Sequence, residues 1–388
     1  MTQSRDIDRR ALLVSAGAMA TAFAAGSSAA TSAGSNAGSN AGSQAASPII
    51  IDSLGSLDDP NTADLDAPQA LSTRVVQDAR ASGLTALNLT LGYIHGPGDP
   101  FELTVRDIVK WDRRVAENPG TLRKVTAVSD IRSAHAAGQL GLIYGFQNEE
   151  ALGERADRVD LFADMGVRVF QLTYNERNRL GGGSSAPEDT PLTAFGHEVI
   201  DHINDRLVMV DLSHSGRQTC IDAAKYSRSP ACISHTGCRA LVDLPRNKSD
   251  EELRLIADRG GYVGIYFMPY LAIGRSITSD DVVRHIEHAL QVCGEDCVGI
   301  GTDGSATGID DLPSWEAAFR KQIEARRVAG ISSPGETPYG FTFATDMYGR
   351  EQFHILADKL AKRQIPQRRI EKIMGGNFLR YAQAIWGK

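Results

Sequence analysis

Eight short apolar runs recur along the chain, and nearly every one turns polar where it ends. They are PIIIDSL (48–54), LTALNLTL (84–91), LGLIYGFQN (140–148), VRVFQLTYN (167–175), RLVMVDLSH (206–214), PACISHT (230–236), GYVGIYF (261–267) and CVGIGTDG (297–304). Stretches of helical periodicity lie between them, among them ELTVRDIVKWDRRVAEN, DRVDLFADMG, RQTCIDAAKYS and SDDVVRHIEHALQVCG. Strands that are apolar on both faces and alternate with helices form a parallel sheet. Eight of them predict a single-domain (β/α)8 TIM barrel, a size that 388 residues and 42% apolar content accommodate. The run RLIADRGGYVGIYF shows the punctuation: a helix ends at Gly260-Gly261 and a strand follows at once.

The polar ends carry the functional reading. Asp52, Asn88, Gln147, Tyr174, Asn175, His214, His235 and Asp303 close their runs, and a barrel brings such strand ends to one mouth. An open doubly wound sheet would bind nucleotides through a glycine fingerprint after its first strand. LGYIHGPGDP and RLGGGSS are glycine-rich, yet neither has that spacing between a strand and a helix.

Residues 1–30 follow the plan of an export signal: a polar start, the pair Arg9-Arg10, a weakly apolar stretch, then small residues. The arginine pair points to the twin-arginine route and hence to an exported, periplasmic protein. Residues 31–47, rich in Gly, Ser, Ala and Asn, read as a disordered linker, and the barrel is expected over 48–388. A net charge of −7 argues against a nucleic-acid partner. The chain has no run of eighteen apolar residues to serve as a transmembrane span. Five cysteines leave at least one thiol unpaired in a monomer. Cys293 and Cys297 are close enough to pair if the backbone permits, and Cys220 and Cys232 read as buried small hydrophobes.

His214 and His235 end successive strands at the same relative height, which sets two imidazoles side by side on a barrel rim. Imidazole is a common zinc ligand, and two leave room for a carboxylate and a water. Asp303, at the end of the last strand, can hold a nucleophilic water and pass its proton to a leaving amine. Arg246, eleven residues past His235, falls in a loop placed to overhang the mouth, where a guanidinium suits a substrate carboxylate.

The succession LTYNERN, PLTAFG, VDLSH, ISHT, PRN, DEELRLIADRGG, VGIGTDG and GGNFLR resembles the membrane dipeptidase (renal dipeptidase) family, over the whole body from about Ile49 onward. The resemblance implies a (β/α)8 metallohydrolase that cleaves dipeptides with a pair of zinc ions. His214 and His235 match the histidines of one zinc site, Asp303 the acid/base and Arg246 the carboxylate-gripping arginine. Three departures from the family pattern involve four positions. Leu54 and Ser56 stand where a His-x-Asp pair binds the other zinc, and Gln147 where a glutamate bridges the metals. Tyr174 replaces the histidine that steadies the oxyanion, and a phenol can donate the same bond. Asp58, Asp59 and Glu149 are the carboxylates nearby in sequence that could compensate.

The expectation is therefore at most one zinc ion at His214 and His235, or none. Asp303 and Tyr174 are the catalytic candidates, and Arg246, Gln147 and Asn175 the substrate-binding ones. The substrate is a dipeptide or small peptide-like amide, and a homodimer is possible by family resemblance. The alternative is a metal-poor relative that modifies or binds a small peptide-like metabolite in the periplasm, and the dipeptidase-like pyoverdine maturation proteins are a family precedent for such a barrel exported with an altered task.

Overall fold

The computed structural model describes residues 48–61, 71–328 and 341–387. The signal and linker expected over 1–47 lie outside them.

Nine strands form one parallel sheet: β1 (Ile50–Gly55), β2 (Leu84–Thr90), β3 (Leu122–Val125), β4 (Leu140–Phe146), β5 (Val167–Gln171), β6 (Met209–Asp211), β7 (Cys232–Thr236), β8 (Tyr262–Ile265) and β9 (Val298–Ile300). Eight follow the order β1-β2-β4-β5-β6-β7-β8-β9. The ring closes where Asp303 N–H donates to Leu54 O and Ser56 N–H to Gly304 O, both at 2.8 Å, beside a parallel bridge from Ser56 to Ser305. The expected TIM barrel is the observed fold.

Strand β3 is an addition to the sequence reading. Its four residues, Leu-Arg-Lys-Val, are apolar only at the ends, too little to stand out as a buried run. It pairs with β4 from Leu140 to Ile143, whereas β5 pairs with Tyr144 to Phe146. Because β2 holds the other edge over Gly141–Gly145, β3 and β5 share one edge of β4, one after the other. The strands also stop earlier than the apolar runs suggested. Gln147, Tyr174, Asn175, His214 and Asp303 sit in the loops just beyond them, and of the site candidates only His235 lies within a strand.

One end of the barrel is plugged. Ile51, Ala86, Ile143, Val169, Met209, Cys232 and Tyr262 form a layer against Phe378, Leu379, Tyr381 and Ile385 of the last helix, Asn377–Trp386. Each Val, Ile, Leu, Met or Phe side chain in this layer stabilises by roughly 1.5–3 kcal/mol on burial. Asn377 fastens the helix by donating to Glu295 O (2.8 Å) and Val298 O (2.7 Å). These residues lie toward the strands' N-terminal ends, so the opposite, C-terminal end carries the mouth. All five cysteines are free thiols, Cys293 and Cys297 included. Among the described residues no helix is long and apolar enough to cross a membrane.

Candidate active site

Strands β6 and β7 place the two histidines. Asp211, the last residue of β6, accepts from Ser213 N–H (3.0 Å), Ser213 Oγ (2.5 Å), Ser234 N–H (3.0 Å) and Ser234 Oγ (2.5 Å). One buried carboxylate thus ties the turn just past β6 to the middle of β7. Ser213 Oγ accepts in turn from His235 N–H at 3.1 Å. Neighbouring glycines make room: a Cβ added to Gly264 or Gly301 would lie 2.0 or 2.1 Å from Ser234 O.

The proton positions on the imidazoles follow from these bonds. The one hydroxyl proton of Ser234 goes to Asp211, so its oxygen accepts from His235 Nδ1–H at 2.8 Å. His214 Nδ1 stands 2.9 Å from Asn175 Oδ1, an acceptor only, so it too carries the proton. Both Nε2 atoms then present lone pairs, and they face each other at 3.0 Å. Two such lone pairs attract a metal cation placed between them. The histidines are 4% and 0% exposed. Burial first, then Arg246 and other nearby positive charge, holds both well below the ordinary histidine pKa, so each is neutral.

Asp303 stands 4.0 Å from His235 Nε2. Its φ is +58°, a left-handed conformation that Asp and Asn adopt more readily than most residues. Two anchors hold it: its N–H on Leu54 O, and the preceding Thr302, whose N–H (2.8 Å) and hydroxyl (2.6 Å) donate to Asp52. Burial raises Asp303 to about 6 while Arg246 pulls the other way. Asp52 is raised to about 7, mainly by burial and against its Thr302 bonds. Tyr174 stacks on His214 with ring centroids 4.3 Å apart, and exposed His95 lies over Tyr174 at 6.4 Å.

Arg246 does not overhang the mouth. It is 6% exposed and lies against the β6–β7 backbone, donating to Ser213 O at 2.8 Å and His235 O at 3.5 Å. The backbone carbonyls turned toward it satisfy part of its donor fork, which is why the loop packs down. Gln147 sits just past β4, its backbone carbonyl accepting from Gln171 Nε2 at 2.6 Å. Thus His214, His235, Asp303, Tyr174, Asn175 and Arg246 form one connected group, while Gln147 is held through its bond with Gln171. Asp58 is exposed at the mouth. Glu149 is buried with both carboxylate oxygens unpartnered, and burial holds its pKa well above the usual range.

Sequence reasoning missed Lys248. It is 2% exposed, bonded to Ser215 O and 3.3 Å from Glu252, and its charge bears on both histidines. A lysine two residues past Arg246 gave no signal of burial. Asp211 and Ser234, though quoted in VDLSH and ISHT, were also unassigned.

Three comparisons converge. The model of the membrane dipeptidase family (peptidase family M19) matches residues 65–320, more than half of the chain. The chain belongs to the membrane dipeptidase family. An amidohydrolase from Pseudomonas aeruginosa is 33% identical, with a TM-score of 0.73 over 88% of this chain and 98% of that one. A protein encoded in the pqqA 5' region of Klebsiella pneumoniae is 28% identical over 245 residues, 60% of this chain and 90% of that protein. The probable dipeptidase PvdM from Pseudomonas aeruginosa shares the fold, with a TM-score of 0.66 at 21% identity over 87% and 96% of the two chains.

Two nitrogens at roughly 2.0–2.1 Å from one zinc ion stand about 2.9–3.4 Å apart at ordinary ligand angles, which the 3.0 Å separation of the Nε2 atoms meets. Their Nδ1–H groups are held by an amide oxygen and a hydroxyl, the outer-shell pattern of ligating histidines. The residues present therefore fit one ion along one edge. Among the described residues no group of three or more His, Cys, Asp or Glu could complete a site, and for a second ion Leu54 has no donor atom while Ser56 and Gln147 offer only neutral oxygens.

Proposed function

We propose that this membrane dipeptidase family member hydrolyses a small peptide-like amide at the barrel mouth. The reading is carried by one observation: the two Nε2 lone pairs converge at 3.0 Å beside Asp303. His214 and His235 would hold a single divalent ion, which would supply Lewis acidity toward the substrate carbonyl. Asp303 takes a proton from the attacking water and returns it to the amine as the C–N bond breaks. The Tyr174 phenol, stacked on His214, donates to the developing oxyanion. Arg246, together with Asn175 and Gln147, would orient the substrate, with the guanidinium drawing its carboxylate to the β6–β7 side.

The test is hydrolysis of a dipeptide panel by purified protein, with metal content measured alongside. Up to one zinc per chain is expected, lost in His214→Ala together with turnover. Two tightly held ions would mean that ligands other than these histidines build the site.

A second reading has its own support. The family's other metal ligands are replaced by Leu54, Ser56 and Gln147, and the charges of Arg246 and Lys248 act on the histidine pair, which disfavours a cation there. The chain would then bind or modify a peptide-like metabolite without metal. Absence of zinc after growth in added zinc, with a ligand still bound at the mouth, would favour it.

Export through the twin-arginine route belongs to the same proposal, from Arg9-Arg10. Replacing the pair by Lys-Lys should leave the precursor in the cytoplasm, read by fractionation and immunoblotting. Normal delivery of the Lys-Lys form to the periplasm would refute the route.

A further inference from the structure

A cavity of about 320 Å³ opens beside Asp303, between β1 and the segment after β9. Its lining combines two chemistries: the carboxylates of Asp303, Asp58 and Asp59 and the rings of Trp315, Phe319 and Phe343. No lysine or arginine is among its described lining residues. Arg74, whose charge bears on Asp59, is bonded to Asp310 at 2.5 and 2.7 Å and to Gly308 O at 3.2 Å.

The apolar wall is a built feature. Trp315 and Phe319 stack at 5.0 Å and 9°, and Phe343 sits 5.3 Å from Trp315 and 4.8 Å from Tyr348. These residues form an apolar cluster separate from the barrel core. Across Asp303 lies the opposite charge, Arg246 and Lys248 behind the histidine pair. The mouth is thus polarised, with cations toward β6–β7 and carboxylates plus aromatic rings toward β1 and β9. A ring's negative face and a carboxylate both attract an ammonium, and the remaining ring surface suits an apolar side chain.

We propose that this cavity is the subsite for a protonated amine carried on an aromatic or large apolar residue, the amino-terminal half of a small peptide or amide. The inference deepens the proposed hydrolase reading, since it names the substrate half that lies next to Asp303. The carboxylates and the rings together make it selective against glycine-like and N-acylated substrates.

The test uses the full folded chain and isothermal titration calorimetry at low and high salt with three probes. Phenylalaninamide carries both features, N-acetylphenylalaninamide lacks the charge and glycinamide lacks the ring. Phenylalaninamide should bind about threefold to thirtyfold more tightly than either, the range expected when a cation meets aromatic faces. Asp58→Asn, at an exposed position, should weaken phenylalaninamide severalfold and leave the acetylated probe unchanged. Phe343→Ala should weaken both aromatic probes and spare glycinamide. Equal binding of all three, or no response to both substitutions, overturns the subsite. Hydrolysis is read separately. The binding pattern without turnover sinks the hydrolase and keeps the subsite, whereas turnover with unmoved selectivity in both variants sinks the subsite alone.

Discussion

Asp303→Asn should lower kcat/KM for amide hydrolysis by about 10²–10⁴-fold, the usual loss on removing a general acid/base, without lowering the melting temperature. The two readouts separate catalysis from structure. Asn tolerates the left-handed conformation nearly as well as Asp, so the +58° φ adds no new backbone strain. The position is held by its own N–H and by Thr302 rather than by the carboxylate.

The pH dependence follows from the raised pKa of about 6. As a base, Asp303 works deprotonated, so the acidic limb of the native rate profile should rise through that region and vanish from the residual activity of the Asn variant. Stability has the opposite slope. A carboxyl raised above its unfolded value of 3.8 binds more protons folded than unfolded, so folding weakens as pH rises from about 4 to 6. Asn removes that penalty, and thermal denaturation at pH 7 should show equal or greater stability. A large fall in melting temperature would assign Asp303 a structural role instead.

Lys248→Met should destabilise the protein by about 3–5 kcal/mol, as breaking a buried ion pair from one side does. Lys248 and Glu252 are each 2% exposed. Glu252 also accepts from Ser249 N–H (2.9 Å) and Ser249 Oγ (2.7 Å), capping the helix Asp250–Asp258. Without Lys248 this carboxylate stays buried with only neutral partners, and Ser215 O, one residue past His214, loses its donor. The double change Lys248→Met/Glu252→Gln should recover a large part of the loss, because no buried charge then stands alone. Denaturant titration of the single and double variants checks this. The single variant should also let the His214 and His235 pKa values rise, since one cation that holds them down is gone. Equal midpoints for wild type and Lys248→Met would show that the pair contributes nothing net.

The barrel was legible in the sequence because its signals are local. A strand buried on both faces must be apolar throughout, and a helix packed on it must be apolar on one face. Eight strands were readable on that basis, whereas β3, with Arg123 and Lys124 at its centre, was not. The histidine pair and Asp303 were readable because polar residues that end buried runs in a barrel have few places to go. Three things came only from the folded chain. The inward turn of Arg246 depends on carbonyls at Ser213 and His235, which no spacing along the sequence encodes. The burial of Lys248 depends on Glu252 lying one helical turn away, in a pair that reads equally well as a solvated surface bridge. The aromatic wall facing Asp303 joins residues from 315 to 343 to a strand end at 303 and a loop at 58. Local pattern determined which elements form and where their polar ends lie. The pairing of distant groups, set by barrel closure and packing, decided the protonation of the histidines, the burial of the cations and the shape of the mouth.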